Sequence, residues 1–198
     1  MLKKVAVTLG IAVGAFALFV ASRPADFRVE RHAQIAASPA IVFGLVNDFH
    51  RWNGWSPWDK LDPAMQRTFT GPAAGPGAVY EWLGNDKVGQ GRMTILESKP
   101  GELVSIRLEF IKPFAATNLT TFRFTSANGG SLVSWEMAGR NGFIGKLFCV
   151  FNDMDKMVGA DFERGLAQMA ALAETEARRQ AEAARAAAPS APAPTAAQ

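Results

Sequence analysis

The chain has 198 residues, of which 48% are hydrophobic and 20% charged, values that suit one globular domain with attachments at its ends. The formal net charge is only +3 and the basic residues are not interleaved with aromatic ones, which argues against a nucleic-acid partner. A single cysteine, Cys149, excludes an internal disulfide and a cysteine-based zinc site. The two histidines lack a metal-binding spacing, so we expect no metal and no other cofactor.

The N-terminus combines two lysines, Lys3 and Lys4, with an uncharged apolar run at residues 5–21. The run is at the lower edge of the length that spans a membrane, and it is long for the apolar part of a cleaved signal peptide. We therefore predict that residues 1–25 form a membrane anchor, with cleavage after Val20-Ala21-Ser22 as the alternative. The lysines favour a cytoplasmic N-terminus, which places the domain in the periplasm on the inner membrane, or makes it a secreted protein after cleavage.

Residues 27–35 alternate between apolar and polar side chains, as a half-buried strand does. Ser38 and Pro39 then provide an N-cap and a proline at the first position of a short helix. Six more candidate strands follow, with turn residues such as Gly, Pro and Asn between them, and short turns predict antiparallel neighbours. These strands cover residues 66–70, 78–83, 91–98, 103–111, 117–125 and 132–137.

The C-terminal part begins with apolar residues at steps of three and four from Ile144 to Met169. This spacing predicts one amphipathic helix of roughly 30 residues, about 45 Å long, whose wide apolar stripe needs the sheet as its partner. We place the domain boundary at residue 175 and predict a disordered Ala/Pro-rich tail at residues 176–198, although its first half can prolong the helix.

The order of elements predicts an α+β helix-grip fold, a curved antiparallel sheet of about seven strands around a long C-terminal helix. Ser38-Pro39 followed by Val42-Phe43, then WNGWSPWDKLDP, GPGAVYEWLGN and the closing DMDKMVGADFERGLAQM, carry a resemblance to the START-like (SRPBCC) superfamily. Within that superfamily the chain resembles the polyketide cyclase/dehydrase and lipid-transport group over residues 26–173. The resemblance implies a cavity between sheet and helix for a hydrophobic small molecule or a lipid, and it leaves open whether a reaction occurs.

Inward-facing aromatic and methionine side chains are the candidates for the cavity wall, with a fully packed core as the alternative for each. The predicted ligand-binding residues are Trp52, Tyr80, Trp82, Phe110, Phe122, Phe124, Trp135, Phe151 and Met154. Of the three tryptophans in HRWNGWSPWD, we expect Trp52 to reach the cavity, and Trp55 and Trp58 to wedge the segment onto the sheet.

No nucleophile motif or phosphate-binding loop is present, and three residues remain as acid–base candidates: Arg31, His50 and Glu81. Arg31 shares a strand face with Phe27 and Val29, so it must either pair with a carboxylate or a ligand, or be turned outward by a bulge. The first hypothesis is a binding protein without catalysis. The alternatives are a cyclase/dehydrase-like enzyme and a non-binding structural or interaction domain with a filled core; protein partners cannot be read from the sequence.

Overall fold

The computed structural model describes residues 1–187, and in this range four α-helices and seven strands follow the predicted order. The helices are α1 (Leu2–Ser22), α2 (Pro39–Asn47), α3 (Phe143–Phe151) and α4 (Met154–Ala187), with a 3-10 turn at Phe49–Gly54. The strands are β1 (Asp26–Ile35), β2 (Gln66–Thr70), β3 (Val79–Leu83), β4 (Gln90–Lys99), β5 (Leu103–Lys112), β6 (Ala116–Ala127) and β7 (Gly130–Arg140).

The seven strands form one antiparallel sheet in the order β1-β7-β6-β5-β4-β3-β2, which confirms the α+β helix-grip prediction. Consecutive strands from β2 to β7 are hairpin neighbours, and the last strand, β7, also pairs with β1 at the edge of the sheet. The register places Arg31 of β1 opposite Trp135 of β7, and Trp135 opposite Phe122 of β6. Residues directly opposite each other on neighbouring strands point to the same face of a sheet, so all three side chains lie on the face that α4 covers.

Helix α4 packs its apolar stripe on the sheet through Phe162, Leu166 and Met169, which are almost completely buried. Gly165 allows a close approach to the sheet, because an added Cβ there would lie 2.7 Å from a ring atom of Trp135. Helix α2 begins at Pro39 after Ser38, as predicted, although the Ser38 side chain accepts no capping hydrogen bond; the helix buries Val42 and Leu45.

The long C-terminal helix predicted from the sequence is divided into α3 and α4 at residues 152–153. Asn152 has an extended backbone, and Asp153 accepts a hydrogen bond from the backbone nitrogen of Lys156 at 3.1 Å, so it caps α4. The stripe of α3 therefore does not continue onto the sheet, and none of its residues is buried.

Helix α4 continues past the boundary predicted at residue 175. Glu176 pairs with Arg51, and Ala177 packs against the core, so residues 176–187 prolong the helix rather than begin the tail. The remaining residues of the predicted tail, 188–198, lie outside the described part of the chain.

Helix α1 has 21 residues and is long and apolar enough to cross a membrane, a test that a signal sequence also meets. Within it only Val20 is buried, so the protein covers almost none of its apolar surface.

Candidate functional site

A cavity of about 230 Å³ lies between the sheet and the first half of α4. Its wall is formed mainly by aromatic, methionine and aliphatic side chains from β3 to β7, the segment after the 3-10 turn, and α4. The principal lining residues are Trp52, Trp58, Met65, Tyr80, Trp82, Met93, Leu108, Phe110, Trp135, Met137, Val158 and Phe162.

Five of the nine residues predicted from the sequence to bind a ligand are in this wall: Trp52, Tyr80, Trp82, Phe110 and Trp135. They come from three strands and from the 3-10 turn, and the aromatic contact of Trp82 with Phe110 joins β3 to β5 at a ring separation of 6.1 Å. The alternation along each strand correctly placed the four strand residues on the face that α4 covers.

The other four predicted residues lie elsewhere. Phe122 has no exposed surface and stacks on Trp135 at 4.8 Å, while Phe124 packs edge-on against Phe43 of α2 at 5.9 Å. Met154 packs at the edge of the core outside the cavity wall, and Phe151 is 73% exposed on α3. Alternation gives the face of a strand but not the position along it, and α3, which carries Phe151, packs beside α1 and not on the sheet.

The three tryptophans of HRWNGWSPWD occupy two layers, Trp55 in the core and the other two in the cavity wall. Trp55 is fully buried and its indole nitrogen donates to the carbonyl oxygen of Leu45 at 3.1 Å, as expected for a packing residue. Trp52 donates to Val46 at 2.9 Å and lines the cavity with its ring. Trp58 differs from the prediction, because it also lines the cavity, with its ring edge-on to Trp135 at 5.8 Å.

Two polar lining residues, Asp59 and Tyr80, lie on one side of the cavity, where the charge of Asp59 is balanced by Arg67. Asp59 accepts a hydrogen bond from Nε of Arg67 at 2.8 Å, and both lie beside the hydroxyl group of Tyr80. Burial and, secondarily, the Asp59 carboxylate raise the pKa of Tyr80 to about 12, against the opposing effect of Arg67. The tyrosine is therefore neutral at physiological pH and can donate a hydrogen bond, but it is a poor acid.

Two polar atoms in the cavity wall have no hydrogen-bond partner within residues 1–187. They are Oγ1 of Thr120 and Nε1 of Trp135, whose side chains are 4% and 2% exposed. Thr120 lies opposite Met137 in the β6–β7 register and Trp135 lies opposite Phe122, so the two are diagonal neighbours on one face. An unpaired buried polar group is costly, so each of these atoms gains from a hydrogen-bond partner. Because neither atom has appreciable exposed surface, a contact with a ligand requires the side chain to shift towards the cavity.

None of the three acid–base candidates lines the cavity. Of the two alternatives for Arg31, the structure has the first: the side chain faces α4, and its guanidinium group binds Asp155 at 3.0 Å and Glu163 at 2.8 Å. His50 stacks on Phe69 at 4.3 Å, outside the cavity.

The third candidate, Glu81, lies on the opposite face of the sheet, 4.0 Å from Arg92. In the described part of the chain, no group of three His, Cys, Asp or Glu residues is placed to hold a metal ion.

Sequence reasoning missed Trp58, Thr120 and Phe162 as members of the wall. Thr120 alternates with Phe122 and Phe124, and that signal alone places it on the covered face. Phe162 belongs to the apolar stripe of the C-terminal helix. The spacing of that stripe does not distinguish a side chain in the packed core from one in the cavity wall.

Residues 26–174 match the model of the family described as polyketide cyclase/dehydrase and lipid transport. A crystal structure of a Chromobacterium violaceum protein is similar at 18% identity and a TM-score of 0.56, over 74% of this chain and 96% of that one. Major latex-like protein 151 from Panax ginseng has 9% identity and a TM-score of 0.55, over 75% and 98% of the two chains.

The di-domain aromatase/cyclase StfQ of the steffimycin biosynthetic pathway has 10% identity and a TM-score of 0.55, over 77% of this chain and 52% of that one. At such low identities these likenesses establish the fold alone. No curated protein matches the chain.

Proposed function

The chain belongs to the polyketide cyclase/dehydrase and lipid transport family, and on that premise we propose that its domain binds a hydrophobic small molecule, or the apolar part of a lipid, between the sheet and α4. The apolar cavity of about 230 Å³ carries this proposal. An engineered cavity of roughly 150 Å³ already binds benzene, whereas pockets for drug-sized ligands have roughly 300–1,000 Å³. The size favours a compact molecule of one or two rings, or one end of an acyl chain.

The energy available from the cavity also limits the ligand. Filling an apolar cavity contributes about 24 cal/mol per Å³, so 230 Å³ corresponds to roughly 5 kcal/mol, or a Kd on the order of 0.1 mM. Tighter binding needs polar contacts as well. The unpartnered atoms of Trp135 and Thr120 support a ligand with an oxygen acceptor, and each hydrogen bond would add about 1 kcal/mol.

Arg31, His50 and Glu81 lie outside the cavity. The acidic residues in its wall are both paired, Asp59 with Arg67 and Asp161 with Arg164, and Lys87 is exposed at its edge, which supports binding over the cyclase/dehydrase-like alternative. General acid–base catalysis needs a titratable group within hydrogen-bond reach of the substrate. The open volume between sheet and helix likewise favours binding over a structural domain with a filled core.

The proposal is tested by titrating the full chain, in mild detergent, with 2-naphthol. Binding is monitored by the change in tryptophan fluorescence. Val158→Trp places a large ring inside the cavity wall, and we expect it to weaken binding at least about tenfold because the apolar volume is lost. Met157→Trp is the matched control, since the neighbouring Met157 is 51% exposed and is not in the wall.

Equal affinities of the two variants would contradict the proposed site. Naphthalene, which lacks the oxygen, measures the polar contribution separately, and we expect it to bind roughly fivefold more weakly than 2-naphthol, as one lost hydrogen bond predicts. Native mass spectrometry of the purified chain would identify a co-purified natural ligand.

We also propose that α1 anchors the domain in the inner membrane, with the domain in the periplasm. Its 21 residues extend about 31 Å, close to the hydrocarbon thickness of roughly 30 Å. Lys3 and Lys4 support a cytoplasmic N-terminus. Intact-mass analysis together with carbonate extraction of membranes tests the anchor: a chain that begins after residue 22 and is released by carbonate would instead support the secreted form.

A further inference from the structure

We infer that α3 and the β5–β6 turn form a second membrane contact, which lies on the surface of the bilayer that α1 crosses and holds the mouth of the cavity against it. This inference rests on the proposed membrane anchor. The contact surface consists of Phe114, Phe143, Ile144, Phe148 and Phe151.

The position of α3 beside α1 is the first observation. The rings of Phe151 and Phe16 are 6.3 Å apart, and Nζ of Lys146 donates to the carbonyl oxygen of Ala21 at 2.9 Å. The backbone nitrogen of Asn141 also donates to Ala25 at 2.8 Å, so the segment before α3 is fixed to the end of the anchor. Two of these contacts join α3 to the last turns of α1, and the third joins the segments that flank the two helices.

The depth of this contact indicates what α3 touches. Phe16 lies six residues before the end of α1 at Ser22, or about 9 Å along the helix axis. Interfacial helices bury their apolar face about 5–10 Å into the boundary between headgroups and acyl chains. If α1 spans the bilayer, Phe151 therefore lies at the depth of an interfacial helix and not in bulk water.

The apolar side chains of α3 need such an environment. Helix α3 is nine residues long and mostly apolar, yet its large side chains are not covered by the protein. The exposed fractions are 48% for Phe143, 52% for Ile144, 44% for Phe148 and 73% for Phe151. Contiguous exposed apolar patches mark interaction sites, and a bilayer is the one apolar phase that the adjoining α1 already requires.

The β5–β6 turn extends the same surface. Phe114 is 67% exposed in this turn, and the register places the turn at the same end of the sheet as the start of β1 and the end of β7, where α1 and α3 are attached. Lys112 precedes Phe114 and Lys146 lies on α3, and basic side chains of this kind favour anionic headgroups.

The cavity reaches the surface at this end. Along β5, Val104 and Ile106 are buried, whereas Leu108 and Phe110 are half-buried and line the cavity. The exposed lining residue Lys87 belongs to the β3–β4 turn, which is at the same end, while α2 packs through Phe43 on Phe124 towards the other end. A ligand dissolved in the membrane would thus meet the mouth without crossing water.

The test measures the depth of single labels on the full chain, reconstituted in vesicles of phosphatidylcholine and phosphatidylglycerol. In a Cys149→Ser background, a nitrobenzoxadiazole label is attached at Phe148→Cys, Phe151→Cys or Phe114→Cys. Leu132→Cys is the matched control, because Leu132 is an apolar residue, 41% exposed, at the opposite end of β7. Ile11→Cys reports on the anchor itself.

We expect labels at 148, 151 and 114 to be quenched by nitroxide-bearing lipid and to be about fivefold less quenched by aqueous iodide than the label at 132, as for an interfacial helix. Iodide quenching equal to that at 132, with residue 11 inside the bilayer, overturns the inference and leaves the anchor intact. Protection from iodide without quenching by the lipid also overturns it, since a second copy of the chain would then cover the surface.

If iodide quenches the label at residue 11, α1 does not cross the bilayer, and both the proposed anchor and this inference are contradicted. Binding of 2-naphthol, measured on the same vesicles, reports separately on the cavity, so failure of the membrane contact is distinguishable from failure of the proposed binding function. As a second readout, Phe148→Asp with Phe151→Asp should abolish the lipid quenching at 114, whereas Leu132→Asp should not change it.

Discussion

Replacing Phe162 by alanine tests whether α4 holds the cavity wall by close packing. Phe162 is 2% exposed, stacks on Trp135 with ring centres 4.0 Å apart and planes 8° apart, and meets Trp58 edge-on at 6.5 Å. Truncating a buried phenylalanine costs about 3–5 kcal/mol. The cavity already adjoins this ring, so fewer contacts are lost than in a solid core, and we expect about 3 kcal/mol.

Thermal unfolding of the full chain in mild detergent, followed by circular dichroism, measures this loss. For a domain of this size 1 kcal/mol corresponds to about 2–4 °C, so Tm should fall by roughly 6–12 °C. Phe151→Ala is the matched control, because its side chain is 73% exposed and such changes stay within about 0.5 kcal/mol. Saturating 2-naphthol should recover part of the Phe162→Ala loss.

Similar decreases in Tm for the two phenylalanine variants would refute the reasoning, because burial would then not distinguish them. A decrease of less than about 3 °C for Phe162→Ala would mean that α4 is not closely packed on Trp135.

Three further outcomes are expected from the same measurements. Thr120→Val removes an unpartnered buried hydroxyl group, so it should raise the free energy of unfolding by about 1 kcal/mol while weakening 2-naphthol binding; a loss of stability would contradict the absence of a partner. Trp55→Phe should lower the free energy of unfolding by about 1–3 kcal/mol because the carbonyl oxygen of Leu45 loses its donor, whereas Trp58→Phe should mainly weaken binding, and the reverse pattern would contradict the layers assigned to the two rings. Hydrogen bonds from Arg31 hold the pKa of Asp155 below its usual value of 3.8, so their stabilisation is present above that value and is lost as the pH falls through the folded pKa. Arg31→Gln should therefore lower Tm at neutral pH, and the difference from the parent chain should disappear in acid; a constant difference would contradict the pairing.

Several parts of the fold follow from local patterns in the sequence. Val133, Trp135 and Met137 alternate with polar residues, and that period alone places all three on the covered face of β7. Ser38 and Pro39 mark the start of α2, and the uncharged run before Arg23 marks α1 as a distinct apolar helix.

The break between α3 and α4 was not evident, because the apolar steps of three and four continue across it. Asn152 and Asp153 are the local signal for an end and a cap, but such residues also occur on the polar face of an unbroken helix. The break depends on where the sheet ends beneath the chain, and that is a property of the assembled domain.

The sequence by itself determined the α+β class, the succession of strands along the chain and the apolar N-terminal helix. It also determined the sheet face on which Tyr80, Trp82, Phe110 and Trp135 lie. Only the tertiary structure decided that Trp58 and Phe162 line the cavity while Phe122 fills the core, and that Arg31 binds Asp155 and Glu163. The physical reason is that periodicity records the orientation of a side chain relative to its own backbone. Depth, packing and pairing depend on residues distant in the chain, which no local pattern contains.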